Sequence, residues 1–368
     1  MTKAAELAAL IGSQTAQSNR NLIINGAMNV AQRGTSSTGV GAAGSSGYHN
    51  LDRYRIAFSS TAGALTMSQS AVTDLPGFAN CMKFDCTTAD TSIAAAEFFL
   101  VQQRFEGQNV QLLKKGTSSA EPVTVSFYAK ANANATYTLE LADADNGRLN
   151  SQEFSVTTSW TRVSKTFVGD TTGTLDDDNA HSFQCNIWIH AGSTYTGGTH
   201  TSNVWQTVTN QRIGENATSF FDSTDRTLEI TGWQVEVGEV ATPFEHEDFG
   251  TTLAKCQRYY YYSGFGFNNP GGTDSGSTDY EGQIFSVHIG SNRHTFFGSF
   301  PVFLRVIPAL TFYSPHDRAS ANAENYSGGG NIAISASYSR SRQGLGGYSQ
   351  TSTSGDTLRA YVEADAEL

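Results

Sequence analysis

The chain has 368 residues, a net charge of −11 and only 15% charged side chains, which excludes the clustered lysine and arginine of nucleic-acid or anionic-membrane binding. It contains no run of about 18 apolar residues that would insert into a membrane, and it starts without a secretory signal pattern, so we expect folding in a cytosol. With 36 glycines and 11% aromatic residues, the composition favours short strands joined by many turns, and the length allows two β-sheet cores.

Residues 2–12 are the clearest helix candidate, with Leu7, Leu10 and Ile11 on one face. A helix of about ten residues is marginal alone in water, so this apolar stripe needs a partner. We predict that residues 1–20 attach the chain to another protein or form the seam of an oligomer. Alternatively, the segment is a frayed tail that docks on its own domain.

Residues 21–248 have the pattern of a large β-domain. In residues 123–129 every second side chain faces one way, as in a half-buried strand. Asn146-Gly147 supplies the positive φ values of a hairpin turn. We predict a jelly-roll β-sandwich that ends with the strand signal of residues 228–237.

Two aromatic residues of this domain are candidate ligand contacts. Between residues 183 and 189 the odd-numbered side chains are apolar, so we expect them to be buried and Trp188, with His190, to face solvent. The loop of residues 195–206 contains a glycine pair and Trp205, which we also expect to be exposed.

The stretch around residue 248 closes the first domain and begins a second. Trp233, Val235 and Val237 share the apolar face of the closing strand, so we expect this face to look into a core. A short helical signal follows, and Tyr259 opens the next strand. Residues 249–368 therefore predict a smaller C-terminal β-sandwich.

The second domain contains long loops rich in tyrosine, asparagine, serine and glycine, a composition typical of adaptable recognition surfaces. The loops span residues 266–282, 314–330 and 339–356. The candidate ligand contacts of this domain are Tyr313, His316, Tyr326 and Tyr348.

Several strings resemble bacteriophage tail fibre and virion structural proteins. In the first domain these are NLIINGAMNVAQRG at 21–34, DRY at 52–54 and WQVEVG at 233–238. ATPFE at 241–245 and CQRYY at 256–260 complete the junction. The resemblance implies a jelly roll followed by a small C-terminal β-domain.

Four further strings extend this resemblance. VTVSFYAK at 123–130 and VTTSWTRVSKTF at 156–167 are similar to passages of jelly-roll carbohydrate-binding modules. FPVFLRVIPALTFYS at 300–314 and YVEADAEL at 361–368 resemble the ending of the fibre family. Modules of this shape also serve as spacers, so the resemblance is more specific for the fold than for sugar binding.

No catalytic, phosphate-binding or metal-ligand motif is present, so we predict a non-enzyme without cofactor or metal. Cys81, Cys86, Cys185 and Cys256 match no disulfide framework, and we expect buried, reduced thiols.

Three functions follow from the resemblance and the residues. The first is a trimeric tail fibre that binds host cell-surface glycans, contacts other phage tail proteins through its N-terminus, and joins the virion after assembly in the host cytoplasm. The second is a structural decoration of the tail or head without host contact. The third is a surface polysaccharide depolymerase.

Overall fold

The computed structural model describes residues 19–42, 44, 46–265, 282–290, 293–317, 319–326, 330–350 and 357–368. The predicted N-terminal helix with Leu7, Leu10 and Ile11, and all of the loop 266–282 except its last residue, lie outside these residues. The chain folds into two compact units, one ending at Asp248 and the other beginning at Phe249. The exceptions are residues 30–34, which belong to the second unit, and Leu368, which belongs to the first.

The first unit consists of twelve strands in antiparallel pairs. The strands are β1 (Ser36–Gly41), β2 (Gly47–Tyr48), β3 (Arg55–Ser59), β4 (Ala64–Ala71), β5 (Asn80–Thr88), β6 (Phe98–Glu106), β7 (Val123–Ala131), β8 (Ala135–Asp143), β9 (Arg148–Val156), β10 (Thr161–Phe167), β11 (His181–Ala191) and β12 (Thr227–Val237). They form two six-stranded sheets, in the orders β1-β4-β5-β12-β7-β10 and β2-β3-β6-β11-β8-β9. This pair of sheets confirms the predicted all-β class.

Helical segments are few and short. In the described part of the chain, the α-helices are α1 (Ser193–Thr196) and α2 (Phe249–Gln257), and the 3-10 turns are Gly107–Asn109, Gln111–Leu113, Thr209–Gln211 and Phe220–Asp222. Among the described residues, no helix has the length and apolar content needed to cross a bilayer.

Large aromatic side chains fill the core of the first unit. Trp233 is fully buried, stacks on Tyr54 with ring centroids 5.6 Å apart and lies 6.0 Å from the Phe127 ring. All four cysteines of the chain are buried thiols, as predicted. Burial raises the pKa of the Cys81 thiol to about 12, which keeps it protonated and unreactive at neutral pH.

The apolar side chains of β12 that face the core are even-numbered in the first half of the strand and odd-numbered in the second half. Leu228 and Ile230 are fully buried, and so are Trp233 and Val235, although the two pairs differ in sequence parity. The register with β7 shifts between Thr231 and Gln234, and Gly232 within this bulge has a φ of +62°. The bulge lets both halves of the strand face one core.

The second unit is built around one long strand. Its strands are β13 (Tyr260–Tyr262), β14 (Ile284–Gly290), β15 (Arg293–Ser299), β16 (Ala309–Tyr313), β17 (Asn322–Asn325), β18 (Asn331–Arg340), β19 (Gly344–Gln350) and β20 (Leu358–Asp365). Strand β20 pairs with β13, β14, β16 and β17. The circuit β20-β14-β15-β19-β18-β17 closes on itself as a small barrel, where the sequence pattern predicted a second sandwich.

The two faces of β20 pack against different clusters. Leu358, Ala360 and Val362 face a core that includes Phe296 and Leu345. The opposite face contributes Tyr361 to a buried tyrosine cluster with Tyr260 and Tyr262.

Residues 30–34 join this unit through two polar side chains. Gln32 donates a hydrogen bond of 2.7 Å to the Tyr260 carbonyl oxygen. The Arg33 guanidinium lies 3.5 Å from the Tyr260 ring centroid. A short segment from early in the sequence is therefore part of the second unit's packing.

The bulge at Gly232 yields a stability prediction. In Gly232→Ala, the new Cβ would lie 2.8 Å from Phe78 Cζ in a backbone conformation that L-residues rarely adopt. We expect a loss of about 2 kcal/mol or more in the free energy of unfolding, measured by urea denaturation. Gly47→Ala is the control, since its Cβ would meet no atom within 4 Å; an equal loss in both variants would contradict the role of the bulge.

Candidate functional site

A buried carboxylate on β8 fixes the segment that covers the second sheet. Glu140 is fully buried and accepts hydrogen bonds from Asn186 Nδ2 at 2.7 Å and Trp188 Nε1 at 3.2 Å. Arg212 donates through Nε and Nη2 to its two oxygens, at 2.7 and 2.6 Å. Since Arg212 follows the 3-10 turn Thr209–Gln211, this ion pair holds the segment 192–218 against β8 and β11.

The expected solvent exposure of Trp188 is wrong. Its side chain is 3% exposed and packs in a cluster with Leu100 and Ile213, while the Arg212 guanidinium lies 4.7 Å from its ring centroid. His190 is also buried. Residues 192–218 cover this face of β11, so Trp188 has no free ring face on which a sugar could stack.

Trp205 is half-buried at the edge of the same segment. Its Nε1 donates to the Val168 carbonyl oxygen at 2.7 Å, and its ring lies 6.2 Å from that of Phe183. Lys115 Nζ is 5.6 Å from the Trp205 ring centroid. These contacts hold Trp205 as a packing side chain, apart from the cluster that contains Trp188.

A polar cleft opens where the covering segment meets β9. Its volume is about 540 Å³. The cleft is lined by Glu153, Thr196, Gly197, Gly198, Thr199, His200, Gly214, Glu215 and Asn216. None of these described lining residues is phenylalanine, tyrosine or tryptophan, and most offer hydroxyl, amide, imidazole or carboxylate groups.

Glu153 and His200 are the best-defined groups of the cleft. The Glu153 Oε1 atom is buried against Gly214 and has no hydrogen-bond partner among the described residues. His200 Nε2 lies 3.1 Å from the hydroxyl oxygen of the buried Ser151. A Cβ at Gly214 would overlap the Glu153 carboxylate, so glycine is required for that side chain to reach its position.

Sequence reasoning did not find this cleft. The glycine pair Gly197-Gly198 did signal a loop, but nothing in the pattern of β9 distinguishes Glu153 from other polar residues of that strand. Asn216 begins an Asn-Ala-Thr sequon, but residues 214–216 carry no pattern that indicates a cleft. The cleft exists because the Glu140–Arg212 ion pair brings these segments together, and that pairing is a tertiary feature.

The candidates in the second unit occupy different environments. Tyr313 is half-buried and donates to Glu363 Oε2 at 2.7 Å, and burial together with this carboxylate raises the pKa of Tyr313. His316 is exposed. Tyr326 is 54% exposed and lies under the Arg359 guanidinium, 4.8 Å from its ring centroid. Tyr348 is half-buried, with the Arg293 guanidinium 5.8 Å from its ring centroid.

An exposed apolar face lies on β14 and β15. Phe285, Val287 and Ile289 alternate along β14, and they are 47%, 58% and 58% exposed. Phe297 of β15 is 64% exposed. Exposed apolar side chains grouped on one surface are typical of sites of protein association.

Comparison with solved structures finds only distant likeness. One match is the enzymatically active domain of bacteriophage CBA120 tailspike protein 4. The aligned region covers 60% of this chain and 22% of that domain, with 9% sequence identity and a TM-score of 0.30. A CBM4 structure matches 58% of this chain and 98% of its own, with 12% identity and a TM-score of 0.29. A family 11 carbohydrate-binding module from Clostridium thermocellum matches 58% and 99%, with 11% identity and a TM-score of 0.27.

Likeness at this level does not extend to ligand, partner or activity. This chain spans about a fifth of the tailspike domain's length. No family model matches the sequence, and no curated protein matches it.

The Glu140–Arg212 ion pair, which holds the segment 192–218 against the sheet, yields a second stability prediction. Arg212→Met leaves the Glu140 charge buried without its counter-charge, so we expect a loss of about 3–5 kcal/mol in the free energy of unfolding, measured by urea denaturation. The double variant Glu140→Gln/Arg212→Met removes that charge and should recover most of the loss.

The matched control is Arg226→Met, whose partner Asp222 is 40% exposed. This variant should cost about 1 kcal/mol or less, because exposed ion pairs contribute little. Equal losses in Arg212→Met and Arg226→Met would contradict the anchoring role of Glu140.

Proposed function

We propose that the protein is a glycan-binding tail fibre protein of a phage virion and that the polar cleft of its first unit receives the glycan. The observation that carries this proposal is the cleft itself, which lies between β9 and the segment 192–218. Its volume of about 540 Å³ falls within the range of roughly 300–1,000 Å³ in which small-molecule sites occur.

The chemistry of the lining supports a hydroxyl-rich ligand. A sugar hydroxyl can donate to the Glu153 carboxylate and accept from the Asn216 amide, while Thr199 and His200 offer further partners. Because the described lining has no phenylalanine, tyrosine or tryptophan on which a sugar ring could stack, we expect single contacts near millimolar affinity, or about −4 kcal/mol. Several copies on one particle would make such contacts effective.

The remaining parts of the proposal concern assembly. We propose that the chain is a homotrimer that attaches to other tail proteins through residues 1–20 and joins the virion after folding in the host cytoplasm. The apolar face of Phe285, Val287, Ile289 and Phe297 supports association between copies of the chain, since burying it removes exposed apolar area from water.

A second candidate function is hydrolysis of surface polysaccharide. It is favoured by one observation, the presence of both Glu153 and Glu215 in the cleft, because glycosidases work with paired carboxyl groups. A structural decoration of the tail or head is the alternative if the protein does not bind any host glycan.

We predict that the cleft, rather than the tyrosines of the second unit, carries glycan binding. Glu153→Gln and Asn216→Ala should each weaken binding of the full chain to host surface polysaccharide about tenfold, which corresponds to about 1.4 kcal/mol for a lost hydrogen bond. Binding is measured by surface plasmon resonance on immobilised polysaccharide, and Tyr326→Ala is the control with unchanged affinity.

The other outcomes separate the alternatives. Loss of binding in Tyr326→Ala alone would place adhesion on the second unit. Release of reducing ends during the incubation, abolished by Glu153→Gln, would favour the hydrolase. Absence of binding across host polysaccharides would leave the structural role.

We further predict a trimer in solution. Light scattering of the full chain should give three times the chain mass of 39.5 kDa, and Val287→Ser/Phe297→Ser should lower this mass by removing apolar contacts. Val240→Ser, at a residue 70% exposed in the first unit, is the control. A monomer mass for the unaltered chain would contradict the trimer.

A further inference from the structure

Three buried side chains with metal-ligating atoms meet at one end of the first unit. Asp90 follows β5, Glu97 precedes β6, and His190 lies near the end of β11. They are 5%, 6% and 2% exposed, and one ligand atom from each lies within 4.8 Å of the other two. The sequence predicted no metal here, because positions 90, 97 and 190 form no recognisable ligand spacing.

The group carries charge that the surrounding protein does not neutralise. Within the described part of the chain, no lysine or arginine forms an ion pair with Asp90 or Glu97, unlike the buried Asp170, which pairs with Lys115 and Arg148. His190 Nε2 and Glu97 Oε2 are 3.6 Å apart, and neither atom has a hydrogen-bond partner among the residues that the structure describes. Two buried carboxylates without a cation are costly, and a divalent ion would compensate both.

Two of these side chains, His190 and Asp90, are held by partners outside the group. His190 Nδ1 lies 2.8 Å from Ser219 Oγ, and Asp90 Oδ2 accepts from Thr61 Oγ1 at 2.9 Å and from the Ala62 amide at 2.8 Å. Ligating histidines characteristically use their second ring nitrogen for such a bond, which orients the first toward the metal. The bonds to Ser219, Thr61 and Ala62 therefore hold His190 and Asp90 from outside the group, while His190 Nε2 stays within reach of Glu97.

The chemical type of the three ligand atoms indicates which ion they would bind. Bonds of about 2.0–2.1 Å at a tetrahedral angle place two ligand atoms about 3.4 Å apart, close to the 3.6 Å between His190 Nε2 and Glu97 Oε2. An imidazole nitrogen suits zinc and its neighbours in the first transition row, whereas calcium and magnesium prefer oxygen. We propose that Asp90, Glu97 and His190 bind one divalent transition-metal ion of the zinc type.

A cavity of about 50 Å³ adjoins His190 and is lined by Ser219 and Trp188 among others. The ion would tie the β5–β6 connection to β11 and act as a structural cross-link.

The test uses the full chain, stripped with a chelator and then titrated with zinc ions by calorimetry. We expect one zinc per chain, with the dissociation constant raised at least 100-fold in Glu97→Gln and in His190→Gln, and about tenfold in Ser219→Ala, which removes only the orienting partner. His316→Gln, at an exposed histidine of the second unit, is the control and should bind zinc as the unaltered chain does.

A second measurement covers the case in which a ligand variant fails to fold. Cobalt added to the unaltered stripped chain should produce the visible bands of a four- or five-coordinate site, and one equivalent of zinc should remove them. Absence of zinc binding to the unaltered chain, or binding that survives both Glu97→Gln and His190→Gln, would overturn the proposal.

Discussion

A carboxylate buried beneath a covering segment needs hydrogen-bond donors and a counter-charge, and Glu140 obtains both from residues that are distant in sequence. Asn186 and Trp188 come from the neighbouring strand β11, and Arg212 comes from the segment 192–218. Because leaving this charge unpaired would cost several kcal/mol, the segment cannot lift from the sheet without a large penalty. The position of the cleft walls and the burial of Trp188 both follow from this one pairing.

Many of the strands could be predicted from alternating apolar and polar residues, because a strand with one buried face repeats its side-chain pattern every two residues. The apolar set of Trp233, Val235 and Val237 is buried as predicted. The prediction did not include Leu228 and Ile230 in the same core, because a bulge at Gly232 reverses the parity and adds one residue without an apolar signal. The sequence pattern also does not show that the second unit closes into a barrel. Inward-facing and outward-facing residues alternate in the same way in a sandwich and in a barrel.

The candidate site was harder to predict than the fold, for a related reason. Alternation separates the two faces of β11 but does not reveal that a loop covers the second face, so the pattern alone predicts a solvent-exposed Trp188. Glu153, Gly214 and Asn216 are far apart in sequence, and only the docked segment makes them neighbours. Lys115 is a further example, because it neutralises Asp143 and Asp170, which are far apart in sequence.

The segment 192–218 is fixed near its start as well as near its end. The Gly192 amide donates to the Glu97 carbonyl oxygen at 2.8 Å, and the Thr194 amide donates to that of Ala95 at 2.9 Å. An ion held by Glu97 and His190 would therefore order the residues that lead into the cleft, while Glu140 and Arg212 order those that leave it. If the ion and a glycan both favour the ordered segment, each would increase the affinity of the other by the same factor, because linkage between two sites is reciprocal.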